Sequence, residues 1–127
     1  MKEHTRRAVA YIVLQLAAGN KPNLPAIRDL ASGKAFRFNA DVAPTKTKIT
    51  IFDQEQKCHV KGAGGGGFYT LTHEGNGKPI SLKIKDNRFE GFDYDTGKPY
   101  NGMLNGNLVS IHDAEHAKEF RYTASPF

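Results

Sequence analysis

The chain has 127 residues, a formal charge of +5 from 18 Lys and Arg against 13 Asp and Glu, 13 Gly and one Cys. That length holds one domain with a modest core, a lone thiol excludes an intrachain disulfide framework, and the charge excess is too ordinary to name a polyanion as partner. The glycine content suits short strands joined by tight turns better than a helical protein.

The segment Met1–Asn20 comes first. Its basic start and the apolar run Ala8–Leu14 imitate a secretory leader, but Gln15 interrupts the run and Leu16–Asn20 is a poor cleavage sequence, so we expect a retained segment in a cytoplasmic protein. No apolar run reaches the roughly 18 residues of a membrane span. The pattern predicts a helix over 6–18, with Thr5 as its cap and Gly19-Asn20, followed by Pro22, as its stop. Between Ala8 and Ala18 only Gln15 and the Tyr11 hydroxyl are polar. A helix with so little solvent face must be covered by the rest of the chain.

From Pro25 onward the chain repeats. PAIRDLASGKAF, ITIFDQEQKCHV, YTLTHEGNGKPI, FEGFDYDTGKPY and VSIHDAEHAKEF superpose without gaps, starting at Pro25, Ile49, Tyr69, Phe89 and Val109. One column holds Asp29, Asp53, His73, Asp93 and Asp113; five residues later stand Lys34, Cys58, Lys78, Lys98 and Lys118. This is the spacing of a hairpin with a four-residue loop, and it predicts Asp–Lys charge pairs across each mouth at one rim. The column before the Lys carries Gly33, Gly77 and Gly97, with Lys57 and Ala117 as exceptions, where a loop needs positive φ. Around the loops, residues alternate. One face takes Ile49, Ile51, Leu71, Phe89, Val109, Tyr100 and Phe120; the other takes Thr50, Lys61, Thr72, Lys83 and Arg121, with Phe52 and Phe92 as apolar exceptions.

At the far ends, Lys85–Arg88 and Asn105–Asn107 read as tight turns, Gly62–Gly67 as a longer flexible connection, and Asn39–Lys48 as a lengthened one. Five hairpins make about ten strands over residues 25–122. Closing them into an antiparallel barrel removes the sheet edges, and the lumen of such a barrel has room for the apolar helix as plug or cap. Tyr11, Leu14, Leu71, Tyr100 and Phe120 are the candidate lumen residues, and Gly62, Gly91 and Gly102 fall on the inner face, where a missing side chain leaves room for a helix or a ligand.

The pieces IFDQEQKCHV, THEGNGKPISL, GFDYDTGKPYNG and SIHDAEHAKEFRY, with IRDLASGKAFRF as an extra unit, resemble an uncharacterised bacterial family of four-fold β-flower proteins, whose repeat is similar to YDYxxGxxF. Tyr94 keeps the second aromatic of that pattern; Leu30, Gln54 and Ala114 depart from it. The resemblance implies a barrel module without an established activity, distantly similar in shape to tubby-like barrels, which wrap a helix and bind phosphoinositides.

Chemistry is thinly represented. No HExxH occurs, His112-Asp113 with Glu115-His116 reads as an ordinary polar loop, and Cys58 and His59, being strand neighbours, point to opposite faces. An Asp at nearly every corner, each facing a Lys, is what structural pairing predicts, whereas catalysis breaks such symmetry. We therefore expect no enzyme, no catalytic residue, no metal and no cofactor. Lys61, Lys83 and Arg121 with Phe52 and Phe92 form the candidate contact surface, with too few aromatic platforms for single-stranded nucleic acid. The expected function is a structural or protein-interaction module, monomeric or a small homo-oligomer. The alternative is a lipid or small hydrophobic ligand at the lumen or at the lysine rim, including anionic membranes.

Overall fold

A computed structural model describes residues 1–18, 24–42 and 47–125. Alternating apolar positions give ten strands: β1 (Ala26–Asp29), β2 (Ala35–Val42), β3 (Lys48–Asp53), β4 (Cys58–Gly65), β5 (Phe68–His73), β6 (Pro79–Lys85), β7 (Arg88–Asp93), β8 (Lys98–Asn105), β9 (Leu108–Asp113) and β10 (Lys118–Ser125). Each pairs antiparallel with its chain neighbours, and β1 closes on β10 through Ala26↔Ser125 to Asp29↔Tyr122. Closure leaves no strand edge for another chain to extend.

The expected hairpin geometry is present. Asp53 and Cys58, Asp93 and Lys98, and Asp113 and Lys118 face each other across four-residue loops at one rim. The position before each return strand takes positive φ: 74° at Gly97, and also 55° at Lys57 and 51° at Ala117, where a Cβ makes that conformation costly. At the opposite rim the turns are two residues long, Gly66–Gly67, Asp86–Asn87 and Gly106–Asn107.

Inside stands helix α1 (Glu3–Ala18), nearest β9, β10 and β1. Every residue from Thr5 to Gln15 is buried, and its side chains join Ile27, Phe38, Ile51, Leu71, Ile80, Val109 and Ile111 in one core. Tyr11 stacks on Phe38 at 4.6 Å and donates to the Leu24 carbonyl at 2.6 Å. Burying each of Ile12, Val13 and Leu14 stabilises the fold by roughly 1.5–3 kcal/mol.

Several expectations need correction. The helix starts at Glu3, not Arg6: the Arg6 amide already donates to the Lys2 carbonyl, and Thr5 lies inside the helix, where its hydroxyl accepts from Asn76 at 2.5 Å. Its expected stop at Gly19-Asn20 lies outside the described residues. The stretch Asn39–Lys48 is less of a connection than expected, since β2 runs to Val42 with a bulge after Ala40; residues 43–46 are not described. Gly62–Gly65 is not a flexible connection but paired strand, and only Gly66 and Gly67 turn. The inner-face glycines leave no room for a helix or ligand, because the cross-strand partner fills the space. A Cβ at Gly62 would lie 2.6 Å from Leu71, at Gly91 2.5 Å from the Tyr100 hydroxyl, and at Gly102 2.3 Å from the Phe89 ring. Each of those side chains belongs to the residue opposite in register, so large and small residues interlock across the wall.

Two substitutions test this packing by urea unfolding. Gly102→Ala should lower stability by about 1–3 kcal/mol through overpacking. Ala117→Gly should raise it by about 0.5–1 kcal/mol by relieving the left-handed backbone. A neutral Gly102→Ala would contradict the interlocked wall.

Candidate functional site

The loop rim meets the N-terminal end of α1, and there the expected Asp–Lys pairs are absent. Lys34 reaches Glu55 at 3.6 Å, and among the described residues no lysine of the column pairs with the Asp of its own hairpin. The carboxylates turn inward instead. Asp53, Asp93 and Asp113 are each 1% exposed, while Lys34, Lys98 and Lys118 extend into water. The physical reason is local. Each Asp takes a loop amide two or three residues on (Ala31 to Asp29 at 2.9 Å, Gln56 to Asp53 at 3.1 Å, Asp95 to Asp93 at 3.0 Å), and the second oxygen meets His73 at Asp53 (3.0 Å), the Thr96 hydroxyl at Asp93 (3.0 Å) and the helix residue Arg6 at Asp113 (3.1 Å). A helix N-terminus favours negative charge there.

The Asp113 corner anchors the helix. Its carboxylate accepts from Arg6 at 3.1 Å, from the Met1 amino group at 3.3 Å and from His116 at 2.9 Å, and the Met1 amino group also pairs with Glu115. Arg6 further donates to Tyr122 at 3.0 Å and lies 3.5 Å over the Phe120 ring, so Phe120 closes this rim rather than lining an open lumen. Asp113, Glu115 and His116 bring three ligand-type atoms within 4.8 Å, a grouping the sequence reading took for an ordinary loop. Two cations already neutralise it, which weighs against a metal.

A second corner departs from the repeat. Where other hairpins have Asp and Lys, two neighbouring ones have His73 and Cys58, and the fold puts both beside Asp53. His73, fully buried, contacts Asp53 through Nε2 at 3.0 Å; its Nδ1 accepts the Gly75 amide at 3.0 Å and lies 3.6 Å from the Cys58 sulfur. The order thiol–imidazole–carboxylate is that of a nucleophile, base and orienting group. Burial pushes the Cys58 thiol above its ordinary value, with only the Gly75 amide opposing, and the Gly75 bond assigns the ring proton to Nε2, facing Asp53. His4 packs on the His73 ring at 4.6 Å and bonds Asn76 at 2.7 Å, so this corner too holds the helix. Sequence reasoning considered Cys58 only with His59; the coincidence of two column exceptions in adjacent repeats was the signal available.

The outer wall carries two depressions. In the β6–β7 ladder, pairing runs from Lys85↔Arg88 to Lys83↔Glu90 and resumes only at Ile80↔Asp93. In the interval the Tyr100 hydroxyl donates to the Ser81 carbonyl at 2.6 Å, and the Phe92 amide donates to the Ser81 hydroxyl at 2.9 Å. Gly91 permits this insertion: a Cβ there would sit 1.9 Å from the Ser81 oxygen. Burial, helped by the Asp93 charge, pushes the Tyr100 phenol far above its ordinary range, so it stays a donor. Outside the gap lies a depression of about 550 Å³, walled by Phe68, Thr70, Lys83, Glu90, Pro99 and Asn101. A second, about 530 Å³, shares Lys83, Glu90 and Asn101 and continues to Arg88 and Met103.

The nominated surface residues divide accordingly. Lys83 lines the groove and lies 5.2 Å over Phe68, and Phe92 packs edge-on against exposed Tyr94 at 4.8 Å beside it. Phe52 instead packs on His59, Lys61 reaches Glu74 at 3.9 Å, and Arg121 pairs with Glu119 at 3.0 Å. Phe68 and Met103, 58% and 47% exposed, lie on the polar face opposite Lys83 and Ser110, so the same break in alternation that marks Phe52 and Phe92 was available to find them. Of the lumen candidates, Tyr11, Leu14, Leu71 and Tyr100 are core residues. No described helix is long and apolar enough to cross a membrane.

The loop rim makes stability depend on pH. Burial lowers the His4 pKa from 6.5, the Asn76 bond opposing and the charges of His73 and Arg7 reinforcing it. For Asp53 and Asp113 burial acts upward, but the bonds from His73 and from His116 and Met1, with loop amides, bring both below 3.8. All three folded values lie below the unfolded ones, so the unfolded chain binds protons first. Their stabilisation is complete above the unfolded pKa and is lost as pH falls through the folded one. Unfolding free energy should thus decline first below about pH 6.5, then again below about pH 4. His4→Gln should remove the first decline only; stability that rises between pH 7 and 5 would overturn the assignment.

Comparison with known proteins is silent: no family model, curated protein or solved structure matches this chain.

Proposed function

We propose that the protein is a non-enzymatic interaction module whose outer wall over β5–β8 receives an extended, acidic segment of a partner protein. The observation that carries this reading is the continuous groove formed by the two depressions that share Lys83, Glu90 and Asn101. It holds Phe68 and Met103, two of the exposed large hydrophobics. Clustered exposed apolar side chains rimmed by polar groups mark interaction sites, whereas scattered ones do not.

Charge selects the partner. Lys83, Lys85 and Arg88 border the groove and form no ion pair among the described residues, against two carboxylates, Glu90 and Asp86. Cations not engaged internally favour an acidic segment and speed its encounter. A closed barrel offers no edge strand, so the partner is held by side-chain pockets rather than by strand addition. Burial, which raises the Cys58 thiol above its ordinary value, favours binding over chemistry.

A random peptide library panned against the whole protein tests this. Enriched sequences should combine acidic residues with one or two large apolar side chains. The double variant Phe68→Ser with Lys83→Glu should weaken them at least about tenfold, as removal of one hot-spot residue typically does. Arg121→Glu, at an internally paired arginine, should leave them unchanged. Peptides without such character, or equal binding by the double variant, would remove this groove as the site.

A further inference from the structure

We infer a second, separate binding site: the turn-rim end of the lumen is a pocket for a free single-chain fatty acid. The two ends of the barrel are built differently. At the loop rim, Arg6, Asp113 and Phe120 seal the interior around the helix start. At the turn rim the helix leans toward β9, β10 and β1, and the opposite wall stands away from it. Between them lies a cavity of about 430 Å³ lined by Val13, Leu16, Tyr69, Ile84, Phe89 and Leu104. That volume falls in the roughly 300–1,000 Å³ range of small-molecule sites.

Two observations point to an apolar occupant. Ile84 and Leu104 follow the inner-face alternation and pack on the core, yet remain partly exposed, because no side chain among the described residues covers their cavity side. Leu24, where the described chain resumes after the helix, is held by Tyr11 and Gln15 beside β1, across the barrel from this wall. An alkyl chain entering here would cover apolar surface now facing water, at about 0.8 kcal/mol per buried methylene.

The lip supplies the headgroup preference. Arg88 is exposed, lines the cavity and forms no ion pair among the described residues. Its planar guanidinium matches a carboxylate in two parallel hydrogen bonds. Asp86 lies on the same lip and lowers its net charge, which disfavours a multiply charged phosphate head and leaves a monocarboxylate. The lysine rim, the alternative place for an anionic headgroup, is at the end where Arg6 and Phe120 pack around the helix start.

Calorimetric titration of the whole protein with dodecanoate below its micellar concentration, with dodecan-1-ol, and with phosphatidylglycerol vesicles decides the matter. Expected is one-to-one binding of dodecanoate, weaker binding of the alcohol, and no binding to vesicles. Arg88→Gln should weaken dodecanoate about tenfold and leave the alcohol unchanged. Ala17→Trp, which places a large ring in the cavity from an exposed helix position, should abolish both. Should that variant fail to fold, methyl resonances on the wild type decide instead: Val13, Ile84 and Leu104 should move on titration while Ile27 and Ile111 stay. Absence of dodecanoate binding, binding indifferent to Ala17→Trp, unmoved cavity methyls, or binding to vesicles alone would each overturn the proposal. Arg88 also borders the outer groove, but Ile84 and Leu104 do not, so failure here is separable from failure of the peptide reading.

Discussion

A helix without a solvent face can persist in water only if something surrounds it, and a ten-stranded barrel can avoid a void only if something fills it. Each half of this chain answers the other's need. Val9, Ala10, Tyr11 and Ile12 are wholly inaccessible to solvent, as are Ile27, Ile49, Ile51, Leu71 and Ile111 on the surrounding wall. Neither part is stable in that form alone, so helix insertion and barrel closure are one cooperative event.

The fit is uneven around the circumference, and the unevenness makes the two sites. The helix runs close along β9, β10 and β1. On the other side Tyr69, Phe89 and Tyr100 reach inward, and Gly64, Gly102 and Gly91 stand opposite them in register. Around that glycine-rich sector the wall yields. The β6–β7 ladder skips two steps, a groove forms outside, and a cavity opens at the end of the lumen. Both proposed sites therefore derive from one packing compromise: a cylinder of ten strands is wider than one helix.

Polar groups orient the insertion. Buried Asp113 at the loop rim holds the Arg6 guanidinium and the Met1 amino group, while the turn rim holds no comparable network among the described residues. Reversing the helix would bury Arg6 and Arg7 without partners, a cost of several kcal/mol per uncompensated ion. Arg7 is itself only just accommodated, its guanidinium 3.9 Å over Phe36 and its Nε without a hydrogen-bond partner among the described residues.

The mainly-β class, the hairpin spacing, the inward alternation and the covered helix were legible in the sequence, because each depends on residues a few positions apart. Lys57 and Ala117, exceptions in the Gly column, nonetheless take the positive φ of that position, so the hairpin shape overrides residue type there. What the aspartates contact was not legible. Lysines stand opposite Asp93 and Asp113 in their hairpins, but the loop amides and the His73, Thr96 and Arg6 side chains that meet the aspartate oxygens are set by loop shape and by what enters the lumen. The Cys58–His73–Asp53 contact required two hairpins to be neighbours in space. The groove and the cavity arise from a mismatch in diameter between a wall and its plug, and a diameter belongs to the closed sheet as a whole, not to any stretch of chain.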